Sequence, residues 1–260
     1  MAPKVVVRDQ QNNLTRSFVP FGEYQNVTHA KDLISMLILQ SGNSIVIQEG
    51  GILHVDIALD SSALSPSARS ISFFTEFSRK EKDVYSWNRS LPDSRSAFEA
   101  GDLALYFGYA SEYSAIHERN PHLNFDIASM PQADQVSKRL TYGNIQAISI
   151  AKASKNQAGA MYAALVLTQP QVIKDVSVSI NLPPVRRDLL VTPPSDAINS
   201  VFYDSALIAH AWTDPSPDQT DKLFRDMVND ITSGERKVSE SLSILQSAMS
   251  KIMVPYQRDI

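Results

Sequence analysis

The longest uninterrupted apolar stretch in this sequence runs only from Ala160 to Leu167. A membrane-crossing helix needs about 20 apolar residues, so no segment here spans a bilayer as a helix. The apolar residues instead come in many pieces of helix or strand length, separated by Gly, Pro, Asn and Asp. Such pieces bury their apolar faces only by packing on one another in layers. A chain of 260 residues buries roughly 70–75% of its unfolded surface and needs no covalent staple. None is available through sulfur: cysteine is absent, which removes disulfides, thiolate metal sites and thiol catalysis together.

The order of the pieces is informative. Thr28 stands as N-cap of a helix reaching Gln40, with Leu33, Ile34, Leu37 and Ile38 as its stripe and Gly42 just past its end. Ser44–Gln48 and Ile52–Leu59 read as a hairpin about Gly50-Gly51. Pro66 opens a helix carrying Ile71, Phe74 and Phe77. Asp93 caps a short helix that stops at Gly101, the run Leu103–Phe107 has strand length, and Ser111–Arg119 reads as a polar helix. Phe125–Ala128 and Ile145–Ile150 read as strands, and Ser154 as cap of an alanine-rich helix. A Pro-rich stretch, Leu182–Pro194, precedes two closing helices with stripes Leu223, Met227, Val228, Ile231 and Leu242, Leu245, Met249, Ile252. Strands mixed with helices predict an α/β class.

Composition narrows the function. The net charge of −4 carries no basic surplus of the kind a nucleic-acid binder uses against phosphates, so no nucleic-acid partner is expected. No phosphate-cradling glycine loop and no nucleophile elbow occurs. His117 and His122 miss the zinc-helix spacing by one residue, and Pro121 breaks the helix that would align them. No metal or cofactor is expected. Glu23, Asp56, Asp60 and Asp93 leave open a pair of carboxylates for glycoside hydrolysis. The chain start, with Met1-Ala-Pro-Lys, lacks the apolar core of about 7–15 residues of a signal peptide. Tyr24, Trp87, Tyr109 and Trp212 fall in loop-like segments beside Glu23, Asn26, Asn88 and Asp214. Flat sugar faces bury well against such rings, and the polar neighbours satisfy hydroxyls. These eight residues are the candidate ligand contacts, with Trp87, Tyr109, Trp212, Glu23 and Asn26 expected on one concave surface.

Several segments together resemble the extracellular solute-binding proteins of sugar-type ABC importers, the maltose-binding-protein-like family. One is Leu91 to Tyr109, with the Ala-Phe-x-x-Gly-x-x-Ala unit and a closing Gly108-Tyr109; Leu105 stands where the family usually has methionine. Others are Asn120 to Gln132, Tyr142 to Asn156 with the alanine-rich helix after it, and Asn181 to Asp188. The order and spacing of these segments cover about residues 18–252. The resemblance implies a type II periplasmic-binding-protein-like α/β fold, mainly the C-terminal lobe with a partial return into the N-terminal lobe. It assigns 17–142 and 191–260 to the C-terminal lobe, 143–190 to the return segment, and leaves 1–16 as an irregular lead-in. It further implies that an N-terminal lobe segment is missing from the chain, and with it half of the cleft. The function implied is non-enzymatic binding of a sugar or oligosaccharide in an interlobe cleft and delivery to a membrane permease. The location implied is extracellular or periplasmic, with membrane tethering in the full-length protein. A carbohydrate-active hydrolase and a protein-interaction module derived from a binding protein are the alternatives.

Overall fold

The computed structural model describes residues 2–58, 62, 64–132 and 139–256. In chain order the helices are α1 (Ala2–Val5), α2 (Ala30–Gln40), α3 (Pro66–Glu76), α4 (Ser94–Glu99), α5 (Tyr113–Arg119), α6 (Gln157–Leu167), α7 (Pro170–Ile180), α8 (Arg187–Leu190), α9 (Ala197–Leu207), α10 (Pro217–Ser233) and α11 (Val238–Met253). The strands are β1 (Val7–Arg8), β2 (Leu14–Arg16), β3 (Val46–Glu49), β4 (Ile52–Val55), β5 (Thr141–Tyr142) and β6 (Ala209–His210). They pair two by two: β1 with β2 and β3 with β4 antiparallel, β5 with β6 parallel.

The core gathers where α2, α3, α10 and α11 pack together over the β3–β4 hairpin. Residues at helical spacing supply it: Ile34 and Ile38 from α2, Ile71 and Phe74 from α3, Phe224, Met227, Val228 and Ile231 from α10, and Leu242, Leu245, Met249 and Met253 from α11. Two stripes are as the sequence reading has them except at one residue each. Phe224 and Met253 are buried, whereas Leu223 and Ile252 are only partly covered. Caps fix where the helices begin and end. The Ser65 hydroxyl accepts the Ala68 N–H ahead of Pro66, and Asp93 accepts the Arg95 N–H. Gly234 ends α10 in the left-handed region at φ 79°, a conformation that glycine adopts without steric cost.

Several local expectations are corrected. The cap residue of α2 is His29, not Thr28, whose hydroxyl bonds Asp93 instead. Asn156, not Ser154, caps α6 by accepting the Gly159 N–H at 2.9 Å. Residues 103–105 bond alongside Ser17 and Phe18 through a single parallel bridge and form no regular strand. Phe125–Ala128 and Ile145–Ile150 form no strand and pair with none among the described residues. An apolar alternation becomes a strand only when a neighbour completes its ladder. The expected strand end at Leu59 and the candidate carboxylate Asp60 lie outside the described residues. α9, to which the sequence reading assigns no element, is capped by Asp196 accepting the Asn199 N–H.

Burial divides the chain unevenly. Between 143 and 208 only Ser177, Pro184, Leu190 and Phe202 are buried. α6 has no buried residue, although it reads Met161-Tyr-Ala-Ala-Leu-Val-Leu167. Among the described residues no helix is long and apolar enough to cross a membrane.

Candidate functional site

An open pocket of about 600 Å³ lies between the entry to α2 and the first half of α10. Tyr24, His29, Lys31, Asp32, Asp221 and Arg225 give it its chemistry. The loop ahead of α2 sets its floor. Gly22 takes φ 102°, and a Cβ there would stand 2.4 Å from the Ser78 backbone nitrogen, so only glycine lets this loop lie on the end of α3. Val27 then donates its N–H to the Tyr24 carbonyl and Ala30 to the Val27 carbonyl. These turns deliver His29 at φ 60° and place Asp32 in the first turn of α2, where the helix dipole favours a negative charge.

Two phenol–carboxylate pairs flank the opening. The Tyr24 hydroxyl donates to Asp221 Oδ1 at 2.6 Å, and the Arg225 guanidinium holds the other oxygen of Asp221 and lies 5.8 Å from the Tyr24 ring centre. The Tyr109 hydroxyl donates to Asp32 Oδ2 at 2.6 Å. Burial first, and then the neighbouring carboxylate, push both phenols up from their ordinary range, so both stay protonated donors. At the rim, Lys31 Nζ donates to Asp214 Oδ2 at 2.9 Å and lies 5.9 Å from the Trp212 ring centre. Trp212 is itself buried against Phe224 and donates its indole N–H to the Ser35 hydroxyl at 3.1 Å.

The eight expected contacts therefore separate. Tyr24 lines the pocket, Tyr109 reaches it through Asp32, and Trp212 and Asp214 reach it through Lys31. Trp87 does not lie on a concave surface: it is fully buried, with its indole N–H on Asn26 Oδ1 at 3.1 Å. Asn26 also donates to the carbonyls of Asn88 and Leu91, so it clamps the 86–91 loop. Asn88 turns inward on its own loop, bonding the Tyr85 hydroxyl and Ser90. Glu23 is buried and holds Arg89 at 2.6 Å, and Arg89 continues to Asn229 and Thr232 of α10. Asp93 caps α4 and Asp56 follows the β3–β4 hairpin. Neither lines the pocket.

Sequence reasoning missed His29, Lys31, Asp32, Asp221 and Arg225. The signals were local and weak: three polar residues opening an apolar helix, and an Asp–Arg pair at i,i+4 on another. Among the described residues no group of three or more acidic or histidine side chains converges to hold a metal.

No protein-family profile and no curated protein matches the chain. Solved structures do match. An ABC transporter solute-binding protein from Thermotoga lettingae bound with α-D-tagatose matches with TM-score 0.59 at 18% identity, over 94% of this chain and 61% of that one. A putative oligosaccharide periplasmic-binding protein from Synechococcus gives 0.59 at 12%, over 94% and 63%. The maltose/maltodextrin-binding domain MalE from Bdellovibrio bacteriovorus bound to maltotriose gives 0.63 at 11%, over 98% and 64%. The chain has a periplasmic-binding-protein-like fold. It spans a little over three fifths of the length of these sugar-binding proteins.

Proposed function

We propose that this chain is the non-enzymatic, carbohydrate-binding part of a solute-binding protein, acting outside the cytoplasmic membrane and presenting its ligand to a permease. The observation that carries the reading is the pair of phenol–carboxylate units facing one open pocket. Their acceptor oxygens and the Arg225 donors are fixed in place by partners, which is what hydroxyl recognition needs: preset acceptors and donors that cost little ordering on binding. The likeness to proteins bound to tagatose and maltotriose supports a sugar as the ligand class. In this reading 17–142 and 191–260 form one lobe. The 143–190 stretch belongs with a second lobe, which the poor burial of α6 supports.

The test is calorimetric titration with maltotriose and D-tagatose, each in large excess. Binding without turnover of an aryl-glycoside panel is expected. Asp32→Asn is expected to weaken binding by about 1.5–3 kcal/mol, the worth of a hydrogen bond to a charged group. Glycoside turnover lost with one carboxylate would instead establish a hydrolase.

A further inference from the structure

We propose that His29 and Glu112 form a proton-dependent clasp that positions Tyr109 and Asp32 at the pocket, so that ligand is held more tightly when His29 carries a proton. This rests on the reading of the pocket as the ligand site.

Glu112 is the hub of the wall behind the pocket. Its carboxylate accepts the Tyr109 backbone N–H at 2.8 Å, the Tyr106 hydroxyl at 2.9 Å and Arg95 Nη1 at 3.3 Å, and pairs with His29 Nε2 at 2.9 Å. Gly108 makes this approach possible, since a Cβ there would lie 2.7 Å from the Glu112 carboxylate. Held at its backbone, Tyr109 reaches Asp32 with its hydroxyl, and the His29 and Tyr109 rings meet in a T-shaped contact with centres 4.8 Å apart. His29 Nδ1 lies 3.9 Å from the same Asp32 oxygen. One imidazole thus stands between the hub and the pocket carboxylate. Its left-handed backbone is uncommon for a residue with a side chain, and the contacts to Glu112 and Tyr109 hold it in that conformation.

Every charge facing His29 has a definite sign. Burial opposes its proton, the hydrogen bond and charge of Glu112 and the charge of Asp32 favour it, and Arg95 from α4 opposes it; the balance raises its pKa. Asp221 and Arg225 across the pocket are paired with each other. A neutral imidazole keeps a single N–H. It can still bond Glu112, but with a weaker, uncharged donor, and it no longer attracts Asp32. A ligand that displaces water from Asp32 strengthens that attraction. Binding should therefore take up a proton, and affinity should fall as pH rises through the His29 midpoint.

The test has a ligand-free arm and a ligand arm. In the ligand-free chain, His29 ring resonances are expected to titrate above the ordinary midpoint of about 6.5. Tyr109 ring resonances should move with the same midpoint, and Glu112→Gln should uncouple the two. His29→Asn removes the proton while keeping a residue that tolerates the left-handed backbone. With maltotriose, affinity should drop at least about fivefold from below to above the midpoint, and both variants should lose that dependence. An unshifted His29 midpoint, or Tyr109 resonances that ignore it, overturns the clasp. A coupled titration with pH-independent maltotriose affinity overturns its link to binding. Absence of maltotriose binding at every pH overturns the ligand reading, and the ligand-free arm then decides the clasp alone.

Discussion

Trp87 and Tyr24 are both aromatic residues next to loop asparagines, yet their surroundings give them different work. Trp87 is enclosed on every side and its indole nitrogen is satisfied by Asn26, so its ring stabilises the fold and offers no face to a ligand. Trp87→Ala should cost about 3–5 kcal/mol of stability, as expected for emptying a buried aromatic site, measured by denaturant unfolding. Tyr24→Phe leaves the ring in place and removes only the donor to Asp221. It should weaken ligand binding and cost about 1.5–3 kcal/mol of stability, the worth of a hydrogen bond to a charged group. His29 and Glu112 also make stability depend on pH. The folded-state pKa of His29 is raised, so its contribution is complete below the unfolded value near 6.5 and is lost as pH rises through the folded value. Burial opposes the charge on Glu112, but His29 and the Tyr109 N–H outweigh it and its pKa is lowered. Its contribution is present above the unfolded carboxylate value and is lost as pH falls through the lowered one. Thermal melts across pH should therefore peak between these two limits, and His29→Asn should remove the loss on the alkaline side.

At the scale of elements, apolar helices behave differently according to what covers them. α10 and α11 each bury a full stripe, whereas α6 buries nothing and exposes Met161, Tyr162, Leu165 and Leu167. Ile145 and Ile148 are exposed on a segment just before it that pairs with no strand among the described residues. Backbone amides with neither a ladder nor a covering layer open easily. Amides over 145–167 should exchange with solvent orders of magnitude faster than those over 221–250 in hydrogen-exchange measurements on the monomer. Equal protection would mean that the stretch is packed after all, and the assignment of 143–190 to a second lobe would fall. Leu245→Ala, in the covered pair, should cost about 2–5 kcal/mol.

Across the whole molecule, the pocket is assembled from segments far apart in sequence, the loop and first turn of α2 and the first half of α10, while the 106–112 turn bonds Asp32 from outside its lining. The sequence by itself determined the helices with strong stripes and caps, because Pro66, Asp93 and Gly234 act through backbone geometry and bonds within a few residues. It also carried enough ordered motif to indicate the periplasmic-binding-protein-like fold that the solved structures share. Tertiary structure decided what those signals could not. An apolar run is a strand only if a partner lies beside it, and among the described residues Ile145–Ile150 has none. Whether a loop aromatic meets a ligand depends on what covers it: Trp87 and Tyr24 are both buried, but Trp87 bonds Asn26 away from the pocket while the Tyr24 hydroxyl is tied to a pocket carboxylate. The partners of His29 lie 3 and 83 residues away. Electrostatic coupling between them follows distance in space, which the order of residues along the chain does not record.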